Sequence, residues 1–438
     1  MSQTPTENRG SWGSRIGYIL SSLGMAVGVG AIWRFPTMTA MWGGGSFVLA
    51  FAVICLIIVI PAGWCECALG RKYKKGVVGC FTELAGTKGK IFGYFTSAVP
   101  MGLMFYYPIL MATCFMYIIY TFMGAPYMTD VVSFYDQVNN NRVMIYVVVV
   151  AIVIVTALIS LRGIQAGVEK CCKILLPLMF VFLIIITVRV FTLDGIAPGL
   201  DFYLAPNLTQ LANPDMWMAA AGMALFAVGL GPGYLVTYGG YASDKADLAT
   251  DFVTLNLTQL LMCVLCGFAT IPAVVLFGLD PTAGKGLVFQ SLPLVFSQLS
   301  GGLIWFVLFM VCMFFAGLST TLSLLEIPAA SLIDGLSWSR KKAIAVVAVV
   351  CCLGAIPCVW SDAFFAFFDN LIGNVFYCIT AAVIAFYLAW IVGAKKIRTD
   401  WYNPTSVIKY GSWVDILDKF ISVPALAYFA ILAVLSLF

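Results

Sequence analysis

Two short glycine-containing stretches interrupt segments that are otherwise apolar enough to cross a membrane. They read MAVGVGAIWRFP at 25–36 and MALFAVGLGPGY at 223–234, about 200 residues apart. Glycine costs about 1 kcal/mol against alanine inside a helix, and Pro232 follows the second group of glycines, so both helices are predicted to break. Backbone groups freed inside a membrane must face protein, water or a ligand. Two matched breaks are therefore typical of a transporter with a binding site near the membrane midplane.

The alternative interpretation of each stretch is a continuous helix with small residues on a packing face. A single stretch does not separate the two interpretations. The occurrence of two similar stretches, each in its own half of the chain, favours the broken helices.

The composition excludes an ordinary soluble protein. The chain has 438 residues, of which 62% are hydrophobic and only 10% are charged, whereas soluble domains carry about a quarter charged residues. Histidine is absent, which removes the usual base of a catalytic triad and the commonest metal ligand. The 14 cysteines lie mostly in apolar segments without zinc-type spacing, so they are expected to pack as small hydrophobic residues.

Hydropathy predicts an all-α polytopic membrane protein with eleven transmembrane helices. With the N-terminus in the cytoplasm, twenty Lys and Arg residues lie inside and four outside, which favours this orientation and places the C-terminus outside. Spans 1–5 and 6–10 then enter the membrane from opposite sides, and each set begins with a broken helix, as in a 5+5 inverted repeat. The predicted spans are 14–38, 43–70, 91–122, 143–160, 168–192, 214–241, 251–277, 300–334, 342–359, 363–394 and 417–437.

The spans divide the chain into six parts. Each repeat is a membrane unit, and the parts between and beside the repeats are short. The expected location is the plasma (inner) membrane of a bacterial-type cell. The parts are a cytoplasmic tail at 1–13, the first repeat at 14–192, an outer loop at 193–213, the second repeat at 214–394, a cytoplasmic loop at 395–416 and span 11 at 417–438.

Polar or helix-breaking residues occur inside three predicted spans. Glu66 lies near the end of span 2, where an ionisable residue is either functional or accepts hydrogen bonds from broken-helix amides and braces them. Tyr107 precedes Pro108 in span 3, which indicates either a cavity or ordinary packing. Pro177 follows Gly167 by ten residues in span 5 and removes a helix hydrogen bond, so the cytoplasmic half of this span is predicted to unwind and admit water.

Span 8 contains the adjacent hydroxyls of Ser319 and Thr320 in an apolar context. Hydroxyls in membrane helices most often bond back to the carbonyls of their own helix. Two adjacent hydroxyls next to free carbonyls can instead form a small oxygen cage. Sodium is a hard cation that favours such ligands.

In their order along the chain, these motifs resemble the neurotransmitter:sodium symporter family, and eleven spans resemble a bacterial subgroup of it. The resemblance rests on the two broken stretches, on ECALGR around Glu66, on the spacing of Gly167 and Pro177, and on FAGLSTT before Asp334. It implies a leucine-transporter-like fold and a substrate site between spans 1, 3, 6 and 8.

The resemblance also implies which groups hold the substrate. A carboxylate is expected at the amides of Val29 and Gly30 and at the hydroxyl of Tyr107. This agrees with physical expectation, because helix N-termini favour anions and freed carbonyls favour cations. The residues expected at the amine are Ala26, Phe226 and Gly229, through their carbonyls, and those expected around the side chain are Leu103, Phe226, Pro232, Thr320, Ser323 and Leu324.

The chemistry of this implied pocket favours a hydrophobic or aromatic amino acid. Gly28 stands where amine-selective members are expected to carry an aspartate, which favours an amino acid over a biogenic amine. The lining is apolar, and Gly229 enlarges it.

One implied sodium site matches the sequence and a second does not. Ala31, Ala227 and Thr258 stand at the side-chain positions of the second site, so two of its three oxygen ligands are missing and the site is predicted to be absent or crippled. This departure also leaves open a substrate without a carboxylate, because the second sodium normally touches that group. The ligands of the matching site are the carbonyls of Gly24, Val27 and Ala316 and the hydroxyls of Ser319 and Thr320.

The anion site and the gates are also read from the resemblance. Chloride dependence is not expected, because most of its implied positions lack oxygen. The outer gate contains Arg34, but its usual acidic partner falls on Ala366, so Asp369 is expected to substitute. The implied chloride positions are Met223, Ala227, Thr258 and Met262, and the implied inner gate consists of Arg9, Trp12, Tyr241 and Asp334.

The sequence thus predicts a sodium-coupled secondary active symporter that imports a small amino acid by alternating access. The expected partners are this substrate, the sodium ion and the lipid bilayer, with no nucleic acid; the oligomeric state stays open. A sodium-independent exchanger, a channel and a non-transporting receptor are the alternatives. A membrane enzyme is disfavoured, because Glu66, Asp334 and Asp369 lie at different predicted depths and offer no paired acid.

Overall fold

The computed structural model describes residues 10–28, 30–123, 130–282 and 286–437. These residues are predominantly helical and contain no β-strand; one isolated bridge joins Gly44 and Pro206. The predicted all-α class is therefore confirmed.

The helical segments that occupy the predicted spans are numbered here in chain order. Helix α4 has a kink at Ala85 and Gly86 in its first part. Short helices at Val131–Asn140, Ala197–Leu204, Leu208–Leu211 and Leu287–Ser297 lie between these segments. The numbered segments are α1 (Arg15–Ala26), α2 (Gly30–Met41), α3 (Gly45–Tyr73), α4 (Val77–Phe122), α5 (Arg142–Leu161), α6 (Ile164–Phe191), α7 (Pro214–Val228), α8 (Tyr234–Gly240), α9 (Leu248–Leu276), α10 (Gly302–Leu336), α11 (Arg340–Trp360), α12 (Asp362–Thr405) and α13 (Trp413–Leu435).

The lengths of these helices support most of the predicted spans. Nine helices in the described part of the chain are long and apolar enough to cross a membrane, and the bent pair α1–α2 brings the number to ten. The pair α7–α8 lies at the predicted sixth span, but each half is too short to qualify by itself. The count of eleven therefore stays a prediction.

The first break lies between α1 and α2. Ser14 caps the start of α1 by accepting the Gly17 N–H at 3.0 Å, and the helix ends at Ala26. Val27 leaves the helical conformation with φ −95° and ψ 71°, and α2 begins at Gly30 with its axis bent by 54°. The glycine-containing stretch therefore breaks the helix as the sequence predicts.

The second break lies between α7 and α8 and depends on glycine. The Gly229 N–H donates to the Leu225 carbonyl at 3.0 Å, and Gly229 has φ +75°, so it ends α7 in a left-handed conformation. Gly231 and Gly233 also have positive φ values of 108° and 85°. Other residues adopt this conformation at a cost of about 1–2 kcal/mol each, so the sequence GLGPG prevents a continuous helix here.

Helix α10 organises the packing around the two breaks. It packs along α4 and also contacts α1, α5, α6 and α8. The stretch from Ala316 to Leu325 is buried except at Leu318. Within it, the predicted hydroxyls of Ser319 and Thr320 lie against Gly24, near the end of α1. The two broken pairs, α4 and α10 thus surround one point in the bundle.

We predict that Gly231→Ala destabilises the protein. A Cβ atom at this position would lie 2.6 Å from the Cβ atom of Ala381 and 2.7 Å from its backbone nitrogen, and the positive φ adds strain. The expected loss is about 2 kcal/mol or more, measured as a lower thermal unfolding midpoint in detergent. Gly222→Ala on α7 is the matched control, because its Cβ atom meets nothing within 4 Å. Equal midpoints for the two variants would contradict the need for glycine in the break.

Candidate functional site

A small cavity of about 30 Å³ lies where the two breaks meet α4 and α10. Eight of its lining residues belong to the predicted substrate site, and these come from all four predicted spans. Met25, Gly28, Tyr234 and Tyr377 complete the lining. The eight predicted residues are Ala26, Gly30, Leu103, Tyr107, Phe226, Gly229, Thr320 and Leu324.

Glycine at position 28 keeps the polar side of the cavity open. A Cβ atom there would lie 2.3 Å from the Tyr107 hydroxyl and 2.5 Å from the Thr320 hydroxyl. The backbone of the first break therefore approaches both hydroxyls directly. An aspartate at this position has no space in this conformation.

Aromatic rings form one wall of the cavity. A Cβ atom at Gly30 would lie 2.5 Å from the Phe226 ring, so α2 and α7 meet closely here. The Phe226 ring is 5.8 Å from Tyr377, whose hydroxyl donates to the Leu225 carbonyl at 3.4 Å. Sequence reasoning missed Tyr377, because span 10 carries no motif that would indicate it.

Three predicted substrate residues do not line this cavity. Val29 lies outside the described residues. Pro232 and Ser323 are not part of the lining, and the Ser323 hydroxyl is 2.6 Å from the hydroxyl of Tyr238, which does not line the cavity either. The predicted roles of these residues stay predictions.

Four of the five predicted sodium ligands converge between α1 and α10. The Ser319 hydroxyl lies 3.1 Å from the Gly24 carbonyl oxygen and 2.8 Å from that of Ala316. The Thr320 hydroxyl lies 3.0 Å and 3.1 Å from the same two oxygens. Because α1 ends at Ala26, carbonyls of its last turn lack helical partners. The donor set, two hydroxyls and peptide carbonyls, is the chemistry that a hard cation prefers.

The positions of the second implied sodium site offer little oxygen. Ala31 and Ala227 are buried. The Thr258 hydroxyl donates to the Thr254 carbonyl of its own helix at 2.7 Å, and the residue is half-exposed. It is therefore turned away from the buried face of α9.

Two amides that sequence reasoning missed lie on that buried face. Asn256 and Gln259 are fully buried, and within the described residues Oδ1 of the first and Oε1 of the second have no hydrogen-bond partner. Their NH₂ groups donate to the Cys55 carbonyl at 3.1 Å and to the Cys263 sulfur at 3.0 Å. Their polar character inside an apolar helix is the signal that would have indicated them.

Glu66 is placed as a brace of the second break. Its carboxylate accepts a hydrogen bond from the Gly231 amide, and the residue is 2% exposed. Its other oxygen, Oε2, has no partner within the part of the chain that the structure describes. The contact satisfies an amide that the interrupted helix cannot satisfy.

On the predicted inner side, an aromatic cluster joins the residues before α1 to the end of α8. The Trp12 indole N–H donates to the Tyr238 carbonyl at 3.0 Å, and the Trp12 backbone N–H donates to the Tyr241 carbonyl at 3.2 Å. Asp334 accepts the Gly76 N–H at 2.7 Å. Arg9, the remaining predicted gate residue, lies outside the described residues.

Sequence reasoning missed the acid that holds Tyr241. The Tyr241 hydroxyl donates to the fully buried Glu326 at 2.6 Å. Arg340 forms a bidentate ion pair with Glu326 at 2.9 and 2.7 Å and donates to the Ser160 carbonyl. This network joins the end of α8 and α5 to the consecutive helices α10 and α11.

The predicted outer side is held by different contacts. The Arg34 guanidinium lies 5.1 Å from the centre of the Phe226 ring, a cation–π contact. The ion pairs of the described residues include neither Arg34 nor Asp369. Asp369 instead lies beside Tyr106. Both surround Gly373: a Cβ atom there would be 2.7 Å from the Tyr106 hydroxyl and 3.0 Å from Asp369 Oδ1. The expected outer pair is therefore not formed in this structure.

The half of α6 that contains Gly167, predicted to lie on the cytoplasmic side, is wound in this structure. Residues Ile164–Glu169 form a π-helical turn that contains Gly167, and the α-helix continues through Pro177. A Cβ atom at Gly167 would lie 2.1 Å from the Ile159 carbonyl oxygen, so α5 and α6 approach closely here. The predicted unwinding concerns another conformation and stays a prediction.

All 14 cysteines are free thiols, and 12 of them are buried. Within the described residues no group of three or more His, Cys, Asp or Glu side chains is arranged to hold a metal ion. The thiols therefore pack as the small hydrophobic residues that the sequence predicts.

Comparison with known proteins identifies the family. The model of the sodium:neurotransmitter symporter family matches residues 9–130 and 125–438. An uncharacterized sodium-dependent transporter of Haemophilus influenzae is 31% identical over 95% of this chain and 96% of its own length. A similar protein of Methanocaldococcus jannaschii is 30% identical over 94% of this chain and 88% of its own length.

A solved structure shows the same fold. The crystal structure of MhsT in complex with L-phenylalanine superposes with a TM-score of 0.87 at 29% identity, covering 97% of this chain and 99% of that chain. The leucine-transporter-like fold with its inverted repeat is therefore confirmed, and the match places the chain among membrane transporters rather than enzymes. The chain belongs to the sodium:neurotransmitter symporter family.

Proposed function

We propose that this symporter imports a hydrophobic or aromatic amino acid together with sodium, with its N-terminus in the cytoplasm. The observation that carries the proposal is the cavity at the two breaks, where eight predicted substrate residues meet. Its lining combines the backbone of both breaks with Leu103, Phe226 and Leu324 as apolar walls. The crystal structure of MhsT with L-phenylalanine supports this substrate class.

The two ends of an amino acid find complementary groups at the breaks. A carboxylate sits at the start of α2, near the Gly30 amide and the Tyr107 hydroxyl, where the helix N-terminus is positive. An ammonium group sits at the last carbonyls of α1 and α7, at Ala26, Phe226 and Gly229. The side chain then points at the apolar wall.

Sodium binds at the α1–α10 cluster and couples to this site through the first break. Gly24 supplies a carbonyl to the cluster, and Ala26, two residues later, lines the cavity. An ion here favours the conformation in which the break is ordered, and it shifts the transport equilibrium only through its different affinity for the two states. We propose one sodium ion per cycle and no chloride, because Ala31, Ala227 and Met223 supply no side-chain oxygen.

A second candidate is a sodium-coupled transporter of a metabolite or amine derivative without a carboxylate. It is favoured by the loss of side-chain oxygens at Ala31 and Ala227, next to the carboxylate position. A sodium-independent exchanger is less favoured, because the Ser319 and Thr320 hydroxyls are both in place.

Uptake into proteoliposomes tests the proposal. We expect a sodium gradient to drive accumulation of Phe, Trp, Tyr or Leu from a panel that also contains the matching decarboxylated amines. A potassium gradient is the control and should give no accumulation. Accumulation of the amines alone would establish the second candidate, and equal uptake without sodium would establish an exchanger.

We predict that Ser319→Ala combined with Thr320→Ala abolishes sodium-dependent substrate binding. The double variant removes both hydroxyls from the Gly24 carbonyl, which leaves the ion without two of its ligands. The expected loss of apparent sodium affinity is at least about 100-fold, at about 1.5 kcal/mol for each charge-assisted contact. Thr321→Ala is the control, because its hydroxyl faces the Thr156 hydroxyl at 3.1 Å. Unchanged sodium dependence of the double variant would exclude this ion site.

We predict a Hill coefficient near one for sodium in equilibrium binding of substrate. A single ion site gives this value whatever its affinity. A coefficient approaching two would mean that a second site exists, and the free oxygens of Asn256 and Gln259 would be its first candidates. Asn256→Leu and Gln259→Leu variants separate the cases, since they lower the coefficient only if these amides hold an ion.

A further inference from the structure

A buried carboxylate on α6 holds the cytoplasmic start of α1. Glu169 Oε2 accepts the Gly13 N–H at 2.6 Å, and Oε1 accepts the Ser14 hydroxyl at 3.1 Å. Lys173, one turn later on α6, pairs with Oε1 at 2.6 Å. The side chain of Glu169 is 1% exposed, whereas its partners Gly13 and Ser14 are exposed and Lys173 is 38% exposed. Hydrogen bonds to an ionised group are about twice as strong as neutral ones.

The start of α1 is shaped to receive this carboxylate. A Cβ atom at Gly17 would lie 1.9 Å from Glu169 Oε1, so only glycine leaves space for the acid. Ser14 both donates to Glu169 and caps α1 through the Gly17 N–H. The negative charge also lies at the positive end of the α1 dipole. Glu169 therefore recognises the first turn of α1 by shape, hydrogen bonds and charge.

The same stretch of α6 covers the sodium ligands. A Cβ atom at Gly24 would lie 3.2 Å from Cys172 Sγ and 3.2 Å from a methyl group of Leu176. Glu169, Cys172 and Leu176 all lie between Gly167 and Pro177. One segment of α6 thus contacts both ends of α1: the first turn through Glu169 and the ion-binding turn through its apolar side chains.

We propose that Glu169 is a positioning residue that keeps the inner side closed, by fastening the start of α1 to α6 until the 167–177 segment moves. Movement of this segment withdraws the carboxylate from Gly13 and Ser14 and uncovers Gly24 in the same step. Release of α1 and exposure of the ion are thereby coupled. The inference rests on the proposed sodium-coupled cycle and adds a residue to it.

Lys173 makes the release possible at low electrostatic cost. It is one turn from Glu169 on the same helix and 38% exposed, so it reaches both the carboxylate and water. When Gly13 and Ser14 leave, the lysine still compensates the charge. A buried carboxylate without a partner would be strongly destabilising. The Glu169–Lys173 ion pair therefore stays intact when this segment of α6 moves.

The test is Glu169→Gln, which keeps the shape and removes the charge. We expect amide hydrogen–deuterium exchange of residues 13–26 in saturating sodium to rise about tenfold, and the apparent sodium affinity to fall about tenfold, since charged hydrogen bonds are replaced by neutral ones. Glu83→Gln is the matched control, because Glu83 is half-exposed and pairs with Lys75 at the cytoplasmic surface. Wild-type exchange at 13–26 in Glu169→Gln, or an equal rise in Glu83→Gln, would overturn the proposal.

A double-mutant cycle covers the case in which Glu169→Gln folds poorly. Ser14→Ala and Glu169→Asp are combined, and exchange at 13–26 is measured for each variant and for the pair. The proposal expects the combined effect to fall short of the product of the separate effects by at least about threefold, since both act on one contact. Multiplicative effects would overturn it. Exchange in sodium requires no substrate, so a failure here is distinguishable from a failure of the uptake experiment.

Discussion

The structure depends on satisfying backbone polar groups inside a membrane after two helices have been interrupted. Each break leaves amides and carbonyls without helical partners, and hydrocarbon offers none. The structure satisfies several of them with side chains from neighbouring helices. Glu66 accepts a hydrogen bond from the Gly231 amide, and the hydroxyls of Ser319 and Thr320 donate to the Gly24 carbonyl. Residues of both breaks also line the cavity. The proposed binding of a zwitterion and of a cation would thus follow from how the breaks are stabilised.

The breaks and the site around them follow from local chemistry, which is why the sequence predicts them. Gly229, Gly231 and Gly233 fix a left-handed path that no other residue adopts cheaply, and this can be read without knowing the fold. The same holds for the adjacent hydroxyls of α10. The resemblance then places Tyr107 and Phe226 beside the breaks, and the cavity contains both.

Contacts between distant helices could not be predicted in this way. Glu326 and Arg340 stand only 14 positions apart. Their further partners, Tyr241 for Glu326 and Ser160 for Arg340, belong to other helices, so the sequence does not reveal the network. Glu169 is followed by Lys170 and Lys173, a charge pattern typical of the cytoplasmic end of a span. No neighbouring residue in the sequence indicates that Glu169 contacts Gly13. Thr258 and Gln259 differ by one position on α9, and only the packed helix decides which side chain is buried. A sequence pattern predicts the buried face of a helix only to within about one residue. An error of one residue changes which side chain reaches a binding site.

The two sides of the cavity are closed by interactions of unequal strength. The inner side combines Trp12 and its two carbonyl partners with the buried Glu326–Arg340 pair and the Glu169 contacts. The outer side relies on Arg34 stacked on Phe226, a contact worth about 0.5–1 kcal/mol where water has access. The contacts on the predicted inner side are therefore the stronger of the two sets. In the proposed cycle, inward opening breaks these inner contacts, and because an ion at the first break favours the ordered break, it resists movement of the α6 segment until it is released.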